Sequence, residues 1–152
     1  MIEKTIERWH AHLRGELPGG LDALLHDDVV FYSPVVFTPQ RGKAITRLYL
    51  QAAQATFPGD AGDDGEGNGA QGSGSFRYVK QILSGSQAAL EFETRMDGKV
   101  VNGVDLITCD AEGRILEFKV MIRPLQAVNA VHARMRSMLE SLAPGGAPSS
   151  AS

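Results

Sequence analysis

Residues 101–122, VNGVDLITCDAEGRILEFKVMI, hold two runs of β-branched and aliphatic residues separated by Asp110-Ala111-Glu112-Gly113-Arg114, a turn-forming cluster. This pattern reads as two antiparallel strands on a short connection. In the first strand Asp105, Ile107 and Cys109 share one face, and Val104, Leu106 and Thr108 share the other. An acid among apolar neighbours is the feature that any functional reading has to explain. Asn102-Gly103, just ahead of it, reads as a bulge that aims Asp105, since glycine inside a strand often marks one.

Upstream, FRYVKQIL (76–83) and AALEFETRM (88–96) alternate in the same way, joined by Ser84-Gly85-Ser86, and Asp97-Gly98 supplies a hairpin turn into the next strand. Leu90, Phe92, Thr94 and Met96 form the inward face of the second of these strands. In ILEFKVMI (115–122) strict alternation puts Leu116, Phe118, Val120 and Ile122 inward and Ile115, Glu117, Lys119 and Met121 outward. Pro124 then opens a helix at its favoured first position, with Leu125, Val128, His132, Met135, Leu139 and Leu142 as its stripe.

Towards the N-terminus, Ile2, Ile6, Trp9 and Leu13 recur at helical spacing up to the breaker LPGG (17–20). A short helix, LDALL (21–25), leads into the strand VVFYSPVVF (29–37), interrupted by Pro34. A third helix places Ile45, Leu48, Tyr49 and Ala52 on one face. Residues 59–75, GDAGDDGEGNGAQGSGS, are acidic, glycine-rich and nearly free of apolar groups, so they read as a flexible loop. Their acids do not follow the ligand alternation of a calcium-binding loop. The tail, 143–152, is too rich in Pro, Gly and Ser to order on its own. The expectation is one α+β domain over 1–142, with helices covering one face of a strongly bent sheet.

Composition narrows the function classes. With 152 residues, 43% hydrophobic and 22% charged, the chain can close a core without staples. A net charge of -3 with scattered basic residues gives no footprint for nucleic acid. No apolar run is long enough to span a membrane, and a cytoplasmic location is the expectation. Cys109 is the single cysteine and reads as a small buried hydrophobe; the four histidines are not spaced as metal ligands, so neither a metal nor a cofactor is expected.

The order of elements resembles the nuclear transport factor 2-like superfamily, the cone-shaped fold of SnoaL-type polyketide cyclases, ketosteroid isomerases and limonene-epoxide hydrolases. Three features carry the resemblance: LDALLHDDVVFYSP followed by RGKAI, the strand pair NGVDLITCDAEGRILEFKV, and the helix from Pro124. It implies a curved antiparallel sheet with helices on its concave face, an apolar pocket within, and a homodimer formed through the outer sheet face around Val104, Leu106, Thr108 and Met121. In ketosteroid isomerases a strand contributes a protonated aspartic acid to an oxyanion hole. The matching turn spacing puts Asp105 at that position. The isomerase base, an aspartate before a proline, corresponds to Ser33 before Pro34, and a serine does not shuttle protons as a carboxylate does. Where the isomerase has a helix-1 tyrosine, this chain offers Trp9 and His10. The arginine between two aspartates of the epoxide hydrolases has no counterpart at Phe31, Ser33 and Gly103.

Asp105 is therefore the candidate catalytic group. Trp9, His10, Phe31, Ser33, Tyr49, Leu90, Phe92, Ile107, Phe118, Val120 and His132 are the candidate walls of a pocket for a small apolar or amphipathic ligand. Isomerisation, cyclisation or hydration without a cofactor fits such a site. A non-catalytic binding or dimerisation module is the alternative.

Overall fold

The computed structural model describes residues 1–57 and 76–142; the acidic segment 59–75 and the tail 143–152 lie outside the described residues. In chain order the elements are α1 (Ile2–Leu13), α2 (Gly20–Leu24), β1 (Leu25–Tyr32), β2 (Gln40–Arg41), α3 (Lys43–Thr56), β3 (Arg77–Ser84), β4 (Gln87–Met96), β5 (Lys99–Cys109), β6 (Ile115–Arg123) and α4 (Leu125–Leu142). The expected α+β architecture is present, as one six-stranded sheet in the order β2-β1-β6-β5-β4-β3.

From β3 to β6 the chain is an antiparallel meander. The hairpin between β4 and β5 turns on Asp97 and Gly98, both with positive φ (54° and 79°), the conformation that tight two-residue hairpins require. One pairing departs from the antiparallel expectation and makes the sheet mixed. Strand β1 runs parallel to β6, from Leu25 beside Ile115 to Tyr32 beside Lys119.

Two register shifts alter the faces that alternation predicts. Between β5 and β6, Thr108 pairs with Glu117 and Cys109 with Ile115, so Leu116 is the extra residue of a bulge. Ile115 is consequently fully buried, and Leu116 is half-buried, the reverse of the expected assignment. Between β3 and β4, Tyr78 pairs with Phe92 and Lys80 with Glu91, which leaves Val79 as the extra residue. Strand β5 itself pairs without interruption with β4 from Lys99 to Thr108, and with β6 from Asn102 to Thr108. Asn102-Gly103 is therefore no bulge. Gly103 is needed because the Phe92 ring lies across it: a Cβ would run into that ring and come within 2.6 Å of the Met121 carbonyl oxygen.

The inner face of the sheet is covered by α1, α3 and α4, and two apolar clusters fill the space between. The first joins Ile2, Ile6 and Trp9 of α1 to Phe31, Leu90, Ile107 and Phe118. The second joins Ala127, Val131 and Met135 of α4 to Ala52, Phe92, Met96 and Val101. The last helix thus presents a face turned slightly from the expected stripe, because alanines let it approach the sheet closely. His132 and Leu125 point to solvent. Helix α3 is rotated similarly, burying Thr46, Leu50, Ala52 and Thr56, with Ile45 and Leu48 half-buried.

Candidate functional site

Strand alternation in β5 carries Asp105 to the inner face, where it is 5% exposed, flanked by Leu90 of β4 and Val120 of β6. Among the described residues no Lys or Arg forms an ion pair with it. Its carboxylate instead accepts a 2.6 Å hydrogen bond at Oδ2 from the Tyr78 hydroxyl, the length of a strong charge-assisted bond. The Tyr78 oxygen in turn accepts a 3.1 Å bond from the indole Nε1 of Trp9. Burial in apolar surroundings raises the Asp105 pKa to about 7, against a smaller lowering by the Tyr78 bond. The Tyr78 hydroxyl is pushed well above its ordinary range, by burial and then by the neighbouring carboxylate.

The aromatic walls are continuous. Trp9 packs on Phe118 (4.9 Å between ring centres), and Phe31 on Tyr49 (5.2 Å) and Phe118 (6.2 Å). On the other side Tyr78 meets Phe76 edge-on at 5.1 Å, and Phe76 stacks on Phe92 at 5.0 Å. Tyr49, Tyr78 and Val120, all half-buried, touch both core clusters, so Asp105 sits beside the seam between them. At the rim His10 bonds to Gln81 (3.0 Å) and His12 to Gln54 (3.1 Å). Burial lowers the His12 pKa, against its bond to Gln54, which favours the neutral ring there.

Most of the expected wall residues come together around the acid. Trp9, Phe31, Leu90, Phe92, Ile107 and Phe118 are buried, Tyr49 and Val120 are half-buried, and His10 flanks Tyr78 with ring centres 5.5 Å apart. Two residues differ. His132 is on the solvent side of α4 and does not line the interior. Ser33 is half-buried, and its Oγ accepts bonds from the backbone N–H groups of Val35 (3.0 Å) and Val36 (3.3 Å), which holds the turn after β1. Tyr32 lies beside Lys119, whose Nζ is 4.8 Å from its ring centre.

Tyr78, the partner of Asp105, was not among the expected site residues. Strict alternation groups it with Lys80 and Ile82; the Val79 bulge separates them, turning Tyr78 inward and Lys80 outward. The signal that could have found it is Phe76-x-Tyr78, two aromatics at strand period ahead of the first lysine.

A groove of about 320 Å³ lies on the opposite, outer face of the sheet. Ile82, Ala89, Val104 and Met121 make its floor, with Lys80, Glu91, Asn102 and Arg123 among its polar walls. Asn102 links these walls: its amide donates to Glu91 (2.9 Å), and Arg123 donates to its oxygen (3.1 Å).

No family model matches the sequence, and no curated protein matches it. Similar solved structures include a steroid delta-isomerase from Pseudomonas aeruginosa, with 29% identity, 93% of each chain covered and a TM-score of 0.77. Another is a cystatin-like-fold protein from Silicibacter pomeroyi, with 28% identity, 88% of this chain and 83% of that one covered, and a TM-score of 0.70. A third, from Mesorhizobium loti, shares 21% identity over 81% of this chain and 91% of that one, with a TM-score of 0.60.

Proposed function

We propose that this chain, whose fold is the nuclear transport factor 2-like, SnoaL-like cone, binds a small, uncharged, largely apolar ligand within the cone and exchanges a proton with it through Asp105. The observation that carries this reading is a buried carboxyl that pairs with no Lys or Arg among the described residues and accepts a 2.6 Å hydrogen bond from the half-buried Tyr78, with burial raising its pKa to about 7. A buried acid without a cation costs stability, and such groups concentrate where chemistry needs them. A pKa near the working pH also suits a group that must both take and return a proton. The surrounding rings favour an apolar body, and the lack of a facing cation disfavours an anionic ligand.

The reaction class that fits is cofactor-independent isomerisation, cyclisation or hydration. The similarity to a steroid delta-isomerase supports such a scaffold. Ser33 does not fit the usual two-residue proton shuttle, because its hydroxyl is engaged in a turn and carries no acid. In this reading Asp105 is the one proton-carrying group. Thermal-shift measurements with cyclic enones and planar phenols test it: the wild type should be stabilised, and Asp105→Asn markedly less. Equal stabilisation of the two proteins would remove Asp105 as the contact.

A second reading, compatible with the first, is that two copies pair through the outer sheet face. It is favoured by the apolar floor of the outer groove and the exposure of Ile82 (56%) and Met121 (46%).

A further inference from the structure

We propose that Tyr78 and Trp9 are positioning residues for Asp105: the indole N–H commits the Tyr78 proton to Oδ2, so that Oδ1 is the atom that meets the ligand and carries the exchanged proton. This rests on the reading that Asp105 is the functional group.

The argument is one of hydrogen-bond direction. An indole N–H donates and never accepts, whereas a phenol has one proton to give and lone pairs to receive with. A phenolic O–H stays near the ring plane and so has two preferred directions. The Trp9 N–H donates to the Tyr78 oxygen at 3.1 Å, so the phenol proton cannot point at it, and Asp105 Oδ2, at 2.6 Å, is the acceptor that takes it. With Oδ2 already accepting, protonation of the carboxyl falls on Oδ1. Both rings are held against reorientation. Trp9 is 4% exposed against Phe118 and His12, and Tyr78 lies between Phe76 and His10.

The groups around the carboxyl do not offer a competing explanation. Strand β4 sets Leu90 and β6 sets Val120 beside it, and Tyr49 of α3 lies at the seam between the two clusters. His10 and His12 reach Tyr78 and Trp9 respectively, and neither bonds to Asp105. The path from α1 to the acid therefore runs through the tyrosine hydroxyl.

The test is an NMR titration of the Asp105 carboxyl carbon in the full chain. Tyr78→Phe should raise the midpoint by about 1 pH unit. Trp9→Phe, which keeps a ring and loses the N–H, should raise it by less, and should add nothing in the Tyr78→Phe background. A Trp9→Phe midpoint equal to wild type, or an equal shift in both backgrounds, would overturn the proposal. A wild-type midpoint at the ordinary aspartate value would instead sink the proton-exchange reading. Trp9 is the single tryptophan, so its indole N–H gives one resonance that needs no variant. It should move with the Asp105 midpoint in the wild type, and a resonance unchanged across that pH range would equally refute the relay.

Discussion

Asp105 couples function to stability with a definite sign. Its carboxyl has an ordinary pKa of 3.8, the reference for the unfolded chain, and about 7 in the fold, so the unfolded state loses the proton first. Its contribution to stability is greatest below the unfolded value, falls as pH rises through the folded value, and is constant above it. At about 1.4 kcal/mol per pH unit of difference, the cost at alkaline pH is about 4 kcal/mol. Asp105→Asn keeps an acceptor for Tyr78 and cannot ionise, so it should be more stable than wild type at pH 8 and close to it at pH 4. Urea unfolding at both values checks this; a constant difference between the proteins would contradict it. Asp105 was legible in the sequence because β5 alternates without interruption. Tyr78 was hidden by a bulge that local composition does not mark, and the bonds that turn the Ser33 hydroxyl back to its own backbone leave no trace in strand alternation.

At the level of elements, β5, which carries Asp105, and its neighbour β4 depend on one close approach. The Phe92 ring packs over Gly103, two residues from Asp105. Gly103→Ala would press the new methyl against that ring and against the Met121 carbonyl, which belongs to the β6 backbone and cannot swing away. The expected loss is about 3 kcal/mol, near the upper end for overpacking. Chemical denaturation measures it, and a wild-type midpoint would show that the strands separate at little cost. The element order and the inner faces of β4 and β5 were readable from period alone. The rotations of α3 and α4 were not, because alanine and threonine there are buried by the close approach of neighbouring helices, a tertiary effect that hydrophobicity does not register.

For the whole molecule, the sheet has an apolar inner side and an outer side where exposed apolar residues lie among charges of both signs. On that outer face Glu91 and Glu93 of β4 pair with Lys80 and Arg77 of β3 (3.8 and 3.5 Å), and β6 carries Glu117 as well as Lys119 and Arg123. A two-fold axis on this face would bring Ile82, Val104 and Met121 of one copy against those of a second. Light scattering of the wild type should give twice the chain mass, and Met121→Arg should give the monomer; a monomeric wild type would count against this pairing. Neither assembly nor ligand can be read from composition, since both depend on surfaces that appear only once the strands are in register.

The single parallel contact has a consequence for biosynthesis. Strand β1 finds its long neighbour only in β6, so the N-terminal third of the chain has no complete sheet to join until residues 115–123 have been made. Pairing the first long strand with the last closes more than half of the chain in one loop, the kind of contact that slows folding. A nascent chain halted before Ile115 would expose Val29 and Phe31, which the finished protein buries almost completely, and would depend on chaperones to keep them from aggregating.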